Sequence, residues 1–175
     1  ARGVLKSNNP TGAGIEQGGG PRHFAFRPDA KFAYTNHELT SKITAFAYDA
    51  EAGKLDAVQT VSSLPKDFTG NNSTAEIQVN PNGKFLYCSN RGHDSVAVLT
   101  IDEKSGELTH IENEKTGGQT PRNFGIDPTG KYLIAANQKT DDIFVFAIDQ
   151  ETGELERVGE KVECPNPVCV KFLPR

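Results

Sequence analysis

The chain resembles itself at a spacing of about fifty residues, and that spacing limits its possible folds more than any other feature. One alternating segment recurs four times: Pro21-Arg-His-Phe-Ala-Phe-Arg-Pro28, Thr74-Ala-Glu-Ile-Gln-Val-Asn-Pro81, Pro121-Arg-Asn-Phe-Gly-Ile-Asp-Pro128 and Pro167-Val-Cys-Val-Lys-Phe-Leu-Pro174. The closing prolines stand 53, 47 and 46 residues apart. Units of this length cannot bury their own faces and become stable by stacking on their neighbours.

Each unit carries strand and turn signals and no sustained helical period. Strand A is the alternating segment, with Phe24 and Phe26, Ile77 and Val79, or Phe124 and Ile126 on one face. A turn follows, with Gly83 and Gly130 as permissive residues in two repeats and Ala30 in the first. Strand B is predicted over Phe32–Asn36, Phe85–Asn90 and Tyr132–Asn137, and strand C starts at Ile43, Val96 and Ile143. Asp49, Asp102 and Asp149 end strand C, and Gly53, Gly106 and Gly153 four residues later turn the chain into strand D. Four antiparallel strands per repeat predict an all-β fold of β-propeller blades. The expected blades are 21–63, 74–113 and 121–163. Residues 1–20 end a preceding blade and its connector, and 167–175 form the inner strand of a closing blade. About three and a half blades do not close a ring of the usual size.

Composition narrows the function. The net charge of −4, with no basic block, argues against nucleic acid as a partner, and no apolar run is long enough to span a bilayer. Cys88, Cys164 and Cys169 form no close pair, so neither a disulfide framework nor a zinc site is signalled, and a cytoplasmic location is expected. Four scattered histidines, with His23, His37 and Glu38 as a chance cluster, lead to an expectation of no metal and no cofactor. The chain starts at Ala1 and contains no methionine, which suggests a processed or truncated product.

If strand A runs down to the proline turn and strand B climbs back, the start of A and the end of B share one rim. That rim collects His23, Glu76 and Asn123 with Glu38, Arg91 and Gln138, and Arg22 and Arg122 beside them. Framework positions repeat while these positions differ, as expected of a site set into a repeat. The first repeat is longer because of residues 62–73, a loop that overhangs the rim and whose Gly70, Asn71, Asn72 and Ser73 suggest mobility.

The strings GGGPRHFAFRP, ELTSKITAF, CSNRGHDSVAV and PRNFGIDPTGKYLIAANQ resemble the seven-bladed lactonase family, which includes the propeller-type 6-phosphogluconolactonase and the carboxymuconate lactonizing enzyme. The ending PNPVCVKF resembles the strand that closes that ring. Seven repeats of this size need about 330 residues, so the resemblance implies the C-terminal half of a ring. The partner would be the missing N-terminal half or a second copy of this half. It also implies hydrolysis of a small anionic lactone, most simply 6-phosphogluconolactone of the pentose phosphate pathway, with site positions on His23, Glu76, Arg91 and Arg122 and, further, on Arg22 and Glu38.

For that chemistry the residue types supply a general base, Glu76 or His23, and cations for the substrate anion and the tetrahedral oxyanion, Arg91 and Arg122. His23, Glu76 and Arg122 are the expected catalytic residues, and Arg22, Glu38, Arg91 and Asn123 the substrate-binding ones. Each also has a structural use: His23 can bond a neighbouring strand, Glu76 can pair with an Arg to join blades, and Arg22 and Arg122 can cap loop carbonyls. His93 and Asp94 read as turn residues. Ser89 lies outside any nucleophile elbow, so covalent catalysis is disfavoured. A lactonizing isomerase and a non-catalytic binding scaffold are the alternative functions.

Overall fold

The structure is a computed structural model that describes residues 3, 4 and 6–173. Twelve strands among them form three four-stranded antiparallel sheets, each strand pairing with its neighbour in sequence. The first blade is β1 (Pro21–Phe26), β2 (Phe32–His37), β3 (Lys42–Asp49) and β4 (Lys54–Ser62). The second is β5 (Ser73–Val79), β6 (Phe85–Arg91), β7 (Ser95–Ile101) and β8 (Leu108–Lys115). The third is β9 (Pro121–Ile126), β10 (Tyr132–Asn137), β11 (Asp142–Ile148) and β12 (Leu155–Glu163). The chain is all-β, in propeller blades.

Local chemistry explains the repeated turns. At each strand C to D hairpin an aspartate side chain accepts two backbone N–H bonds: Asp49 from Glu51 and Ala52, Asp102 from Lys104 and Ser105, Asp149 from Glu151 and Thr152. These bonds favour the carboxylate and hold Asp102 and Asp149 below their ordinary pKa. At the A to B turn Ala30 takes the left-handed backbone (φ 55°) that Gly83 and Gly130 supply in the other repeats.

The blades are joined by burial between sheets. Phe32, Tyr34, Ile43 and Ala45 of the first blade meet Ile77, Leu86, Cys88 and Leu99 of the second. One repeat later, Phe85, Tyr87, Val96 and Val98 meet Phe124, Leu133, Phe144 and Phe146. Each large apolar side chain so buried contributes about 1.5–3 kcal/mol. A polar lock repeats with the packing: Tyr34 Oη donates to Gly106 O (3.2 Å) and Tyr87 Oη to Gly153 O (2.8 Å). A Cβ on Gly106 would lie 2.2 Å from the Phe32 ring, so the approach of the two blades requires glycine there.

β1, β5 and β9 are the adjacent inner strands, while β4 and β12 are largely exposed along the outside and β8 partly so. The two end blades expose what the junctions bury: Phe24 (44%) and Phe26 (50%) on the first, Tyr132 (47%) on the third. Phe26 stacks edge-on against Tyr48, 4.9 Å between centroids, on that open face.

The expected inner strand at 167–175 differs. Residues 167–173 run beside β9, with Val170 N donating to Asn123 Oδ1 (2.7 Å), but they form no strand ladder. An inner strand pairs with the second strand of its own blade, and residues 167–173 have no such partner among the described residues. Pro174 and Arg175 lie outside the described residues.

Candidate active site

In all three blades the pairing of the inner strand with its neighbour slips at the rim. Pro21–Phe24 faces Thr35–His37, Thr74–Ile77 faces Cys88–Asn90, and Pro121–Asn123 faces Ala136–Asn137, leaving one extra residue on the inner strand each time. Such bulges turn a strand and re-aim its side chains. Arg22 and His23, Ala75 and Glu76, and Arg122 lie at these bulges. In two blades a polar side chain of the second strand captures an N–H at the slip: Asn36 Oδ1 accepts from His23 N and Ser89 Oγ from Glu76 N, both 2.9 Å.

Glu76 is the centre of the arrangement. Its Oε1 lies 2.9 Å from His23 Nδ1 and accepts the N–H of Ile77, and its Oε2 accepts from Asn123 Nδ2. The carboxylate, 9% exposed, is thus fully committed to hydrogen bonds, whereas the His23 side chain is 37% exposed. The equivalent positions of three successive inner strands form one hydrogen-bonded row, and Asn123 extends it to the backbone of Val170.

Arg22 Nη1 lies 3.1 Å from His23 Nε2 and 2.7 Å from Ala75 O. A guanidinium only donates, so Nε2 accepts and the Nδ1 proton goes to Glu76. His23 is thereby set as the tautomer whose lone pair faces away from the carboxylate.

Arg91 Nη2 donates to Glu38 Oε1 and to Thr74 O (2.9 Å). Arg22 and Arg91 are therefore held by consecutive carbonyls of β5. Glu38 also lies 3.8 Å from Arg22 Nε. The hydrogen bond from Arg91, with the charges of Arg22 and Arg122, keeps the Glu38 carboxyl below its ordinary pKa. Burial first, then Arg91, lowers the pKa of Arg22, while Glu38 opposes that change. Arg122, partly exposed, makes no hydrogen bond or ion pair among the described residues, yet its charge acts on both Arg22 and Glu38. Among the described residues, Arg22 and Arg91 thus pair with Glu38 and Arg122 stands nearby without an ion pair, which leaves the rim with more guanidinium than carboxylate charge.

All seven expected site residues thus lie on one rim, and six join directly: His23, Glu76 and Asn123 in the row, Arg22, Arg91 and Glu38 beside it. Gln138 makes no side-chain bond there; its backbone N–H bonds Thr120 O. His37 turns away from His23 and, fully buried, bonds Thr44 Oγ1 (2.8 Å). Sequence reasoning missed Asn36 and Ser89, whose signal was a polar side chain near the rim end of the second strand. It missed Asp94 as well, whose Oδ1 accepts from Thr120 N (2.8 Å) and so ties the second blade to the third. The 62–73 loop, expected to be mobile, is pinned: Asn72 Nδ2 donates to Ser41 Oγ and Asn90 Oδ1, its Oδ1 accepts from His93 N, and Phe68 packs edge-on against His93.

The propeller rim thus combines an oriented histidine, a buried glutamate and three arginines. The sequence matches the model of the family "Lactonase, 7-bladed beta-propeller" over residues 3–172, and the chain belongs to that family. It is 45% identical to the 6-phosphogluconolactonase of Bacillus subtilis over 95 residues, 54% of this chain and 27% of that one. Among solved structures it superposes on the periplasmic gluconolactonase of Pseudomonas aeruginosa with a TM-score of 0.90 and 31% identity, covering 97% of this chain and 47% of the other. A protein from Lactobacillus plantarum gives a TM-score of 0.87 at 38% identity, over 91% and 47% of the two chains. The chain thus spans about half the length of the solved relatives it matches.

Proposed function

We propose that the closed ring containing this chain hydrolyses a small anionic sugar lactone, 6-phosphogluconolactone in the first instance, with His23 as general base. The observation that carries this reading is the row His23–Glu76–Asn123, in which the carboxylate is spent on orienting the imidazole and leaves Nε2 as the available base. The named activities of the Bacillus and Pseudomonas relatives support lactone chemistry.

Water takes the place of the Arg22 N–H at Nε2 and attacks the lactone carbonyl as its proton passes to His23. Glu76 stabilises the imidazolium through the Nδ1–H, without itself taking the proton. Arg22, released from Nε2, and Arg122 donate to the oxyanion. The ring C–O bond then breaks, the leaving alkoxide recovers the proton from His23, and the open hydroxy acid departs. Arg91, fixed by Glu38 and Thr74 O, adds positive charge for the substrate anion. We further take the protein to act in the cytoplasm, supported by three free cysteines, and immunodetection after cell fractionation tests this.

The activity test joins this chain to the N-terminal half of the Bacillus subtilis relative and measures 6-phosphogluconolactone hydrolysis above the spontaneous rate. Activity lost in the Arg122→Ala variant supports the reading, and a folded, inactive ring contradicts it.

A further inference from the structure

On the same rim a concavity of about 450 Å³ opens between the second and third blades. Its wall includes Asn71 and Asn72 of the pinned loop, Arg91 at the end of β6 and Gly92 after it, Thr120 before β9 and Lys139 after β10. Asp94 also lines it, but its Oδ1 is engaged by the backbone N–H groups of Gly92 and Thr120. Gly92 has φ 124°, and a Cβ there would stand 2.2 Å from Asn71 O, so the wall closes only around glycine.

Two cationic side chains in this wall, Lys139 and Arg91, differ in how they are held. Lys139 is exposed and makes no ion pair among the described residues. Arg91 is held by Glu38 and Thr74 through Nη2, yet its Nε is buried with no hydrogen-bond acceptor, an arrangement that costs about 1–3 kcal/mol. The positions equivalent to Lys139 in the other repeats are Leu39 and Gly92, so lysine is no part of the repeated framework. Arg91 also connects the concavity to the first site: its anchor, Thr74 O, is one residue along β5 from Ala75 O, the anchor of Arg22 beside His23.

We propose that this concavity seats the phosphate of a phosphorylated sugar lactone, with Lys139 as the residue that selects a phosphate ester over the free sugar acid. The orientation rests on the lactonase reading, which puts the lactone ring at His23; the concavity then receives the far end of the same carbon chain. A phosphate dianion pairs with Lys139 and lies beside the positive charge of Arg91. Relatives named for phosphorylated and unphosphorylated lactones both occur, so a discriminating residue has a task here.

The test titrates isotope-labelled chain with 6-phosphogluconate and, separately, with gluconate, following the amide signals of Gly92 and Thr120. The expected result is movement of both signals with 6-phosphogluconate only. Lys139→Ala, an exposed change that leaves the fold intact, then weakens 6-phosphogluconate about tenfold, and Lys139→Arg restores most of the binding. Equal response to both acids, no response, or undiminished binding in Lys139→Ala overturns the proposal. Selective binding here together with an inactive closed ring sinks the lactonase reading alone, and an active ring with Lys139→Ala binding unchanged sinks the phosphate seat alone.

Discussion

His23 Nδ1 and Glu76 Oε1 lie 2.9 Å apart across the gap between two adjacent inner strands, although 53 residues separate them in the chain. The contact holds the ring orientation of a part-exposed imidazole with a buried carboxylate, and it exists because both residues sit at the bulge of their strands.

Replacing Glu76 by Gln keeps the volume but allows the amide to donate to His23, favouring the tautomer with its proton on Nε2. In the closed ring kcat for lactone hydrolysis is expected to fall about 10²-fold or more with KM little changed, because general-base catalysis is typically worth 10²–10⁴. Steady-state kinetics checks this. A change confined to KM would make Glu76 a binding group.

The Glu38–Arg91 pair gives a pH dependence. Glu38 has a folded pKa below its unfolded value, so its contribution to stability is fully present above the unfolded carboxylate range, near pH 4.5, and is lost as pH falls through the lowered folded pKa. The stability difference between wild type and Glu38→Gln is expected to be constant from pH 5 to 7 and to shrink below about pH 4. With a 37% exposed Glu38 side chain, screening limits it to roughly 1 kcal/mol. Urea denaturation at several pH values measures it.

At the blade junctions, Tyr87→Phe removes the donor to Gly153 O without changing the packing and is expected to cost about 1–2 kcal/mol. Gly106→Ala forces a Cβ into the Phe32 ring at φ 73° and is expected to cost more, about 2–4 kcal/mol. Chemical denaturation ranks the two, and the reverse order would contradict the junction geometry.

Asn72 holds the 62–73 loop through three side-chain bonds. Asn72→Ala is expected to raise proteolytic cleavage and amide exchange within 64–71 several-fold while exchange in β5 to β7 stays unchanged. Uniform loss of protection would mean that the loop is no separate unit.

Much of this was legible in the sequence because the repeat carries its own controls. The prolines and the Asp to Gly spacing placed the strands, and their directions placed His23, Glu76, Asn123, Arg22, Arg91 and Glu38 on one rim. The division of labour was not legible, since it depends on bulges that shift register by one residue, and no residue type in Pro21–Phe24 or Thr74–Ile77 demands a bulge. Glu76 therefore read as an equal candidate for the base, although its oxygens are spent on His23, Ile77 and Asn123. The loop read as mobile because Gly and Asn suit flexible segments, while the same Asn72 can staple a loop once Ser41 and Asn90, distant in sequence, come within reach.

The central claim is that His23, oriented by Glu76, takes the proton from water in lactone hydrolysis. The most direct test compares 6-phosphogluconolactone hydrolysis by the closed ring and by its His23→Gln variant, with product binding followed in parallel. The account predicts a loss in kcat of at least about 10²-fold with product affinity retained. A variant that keeps wild-type kcat would contradict it.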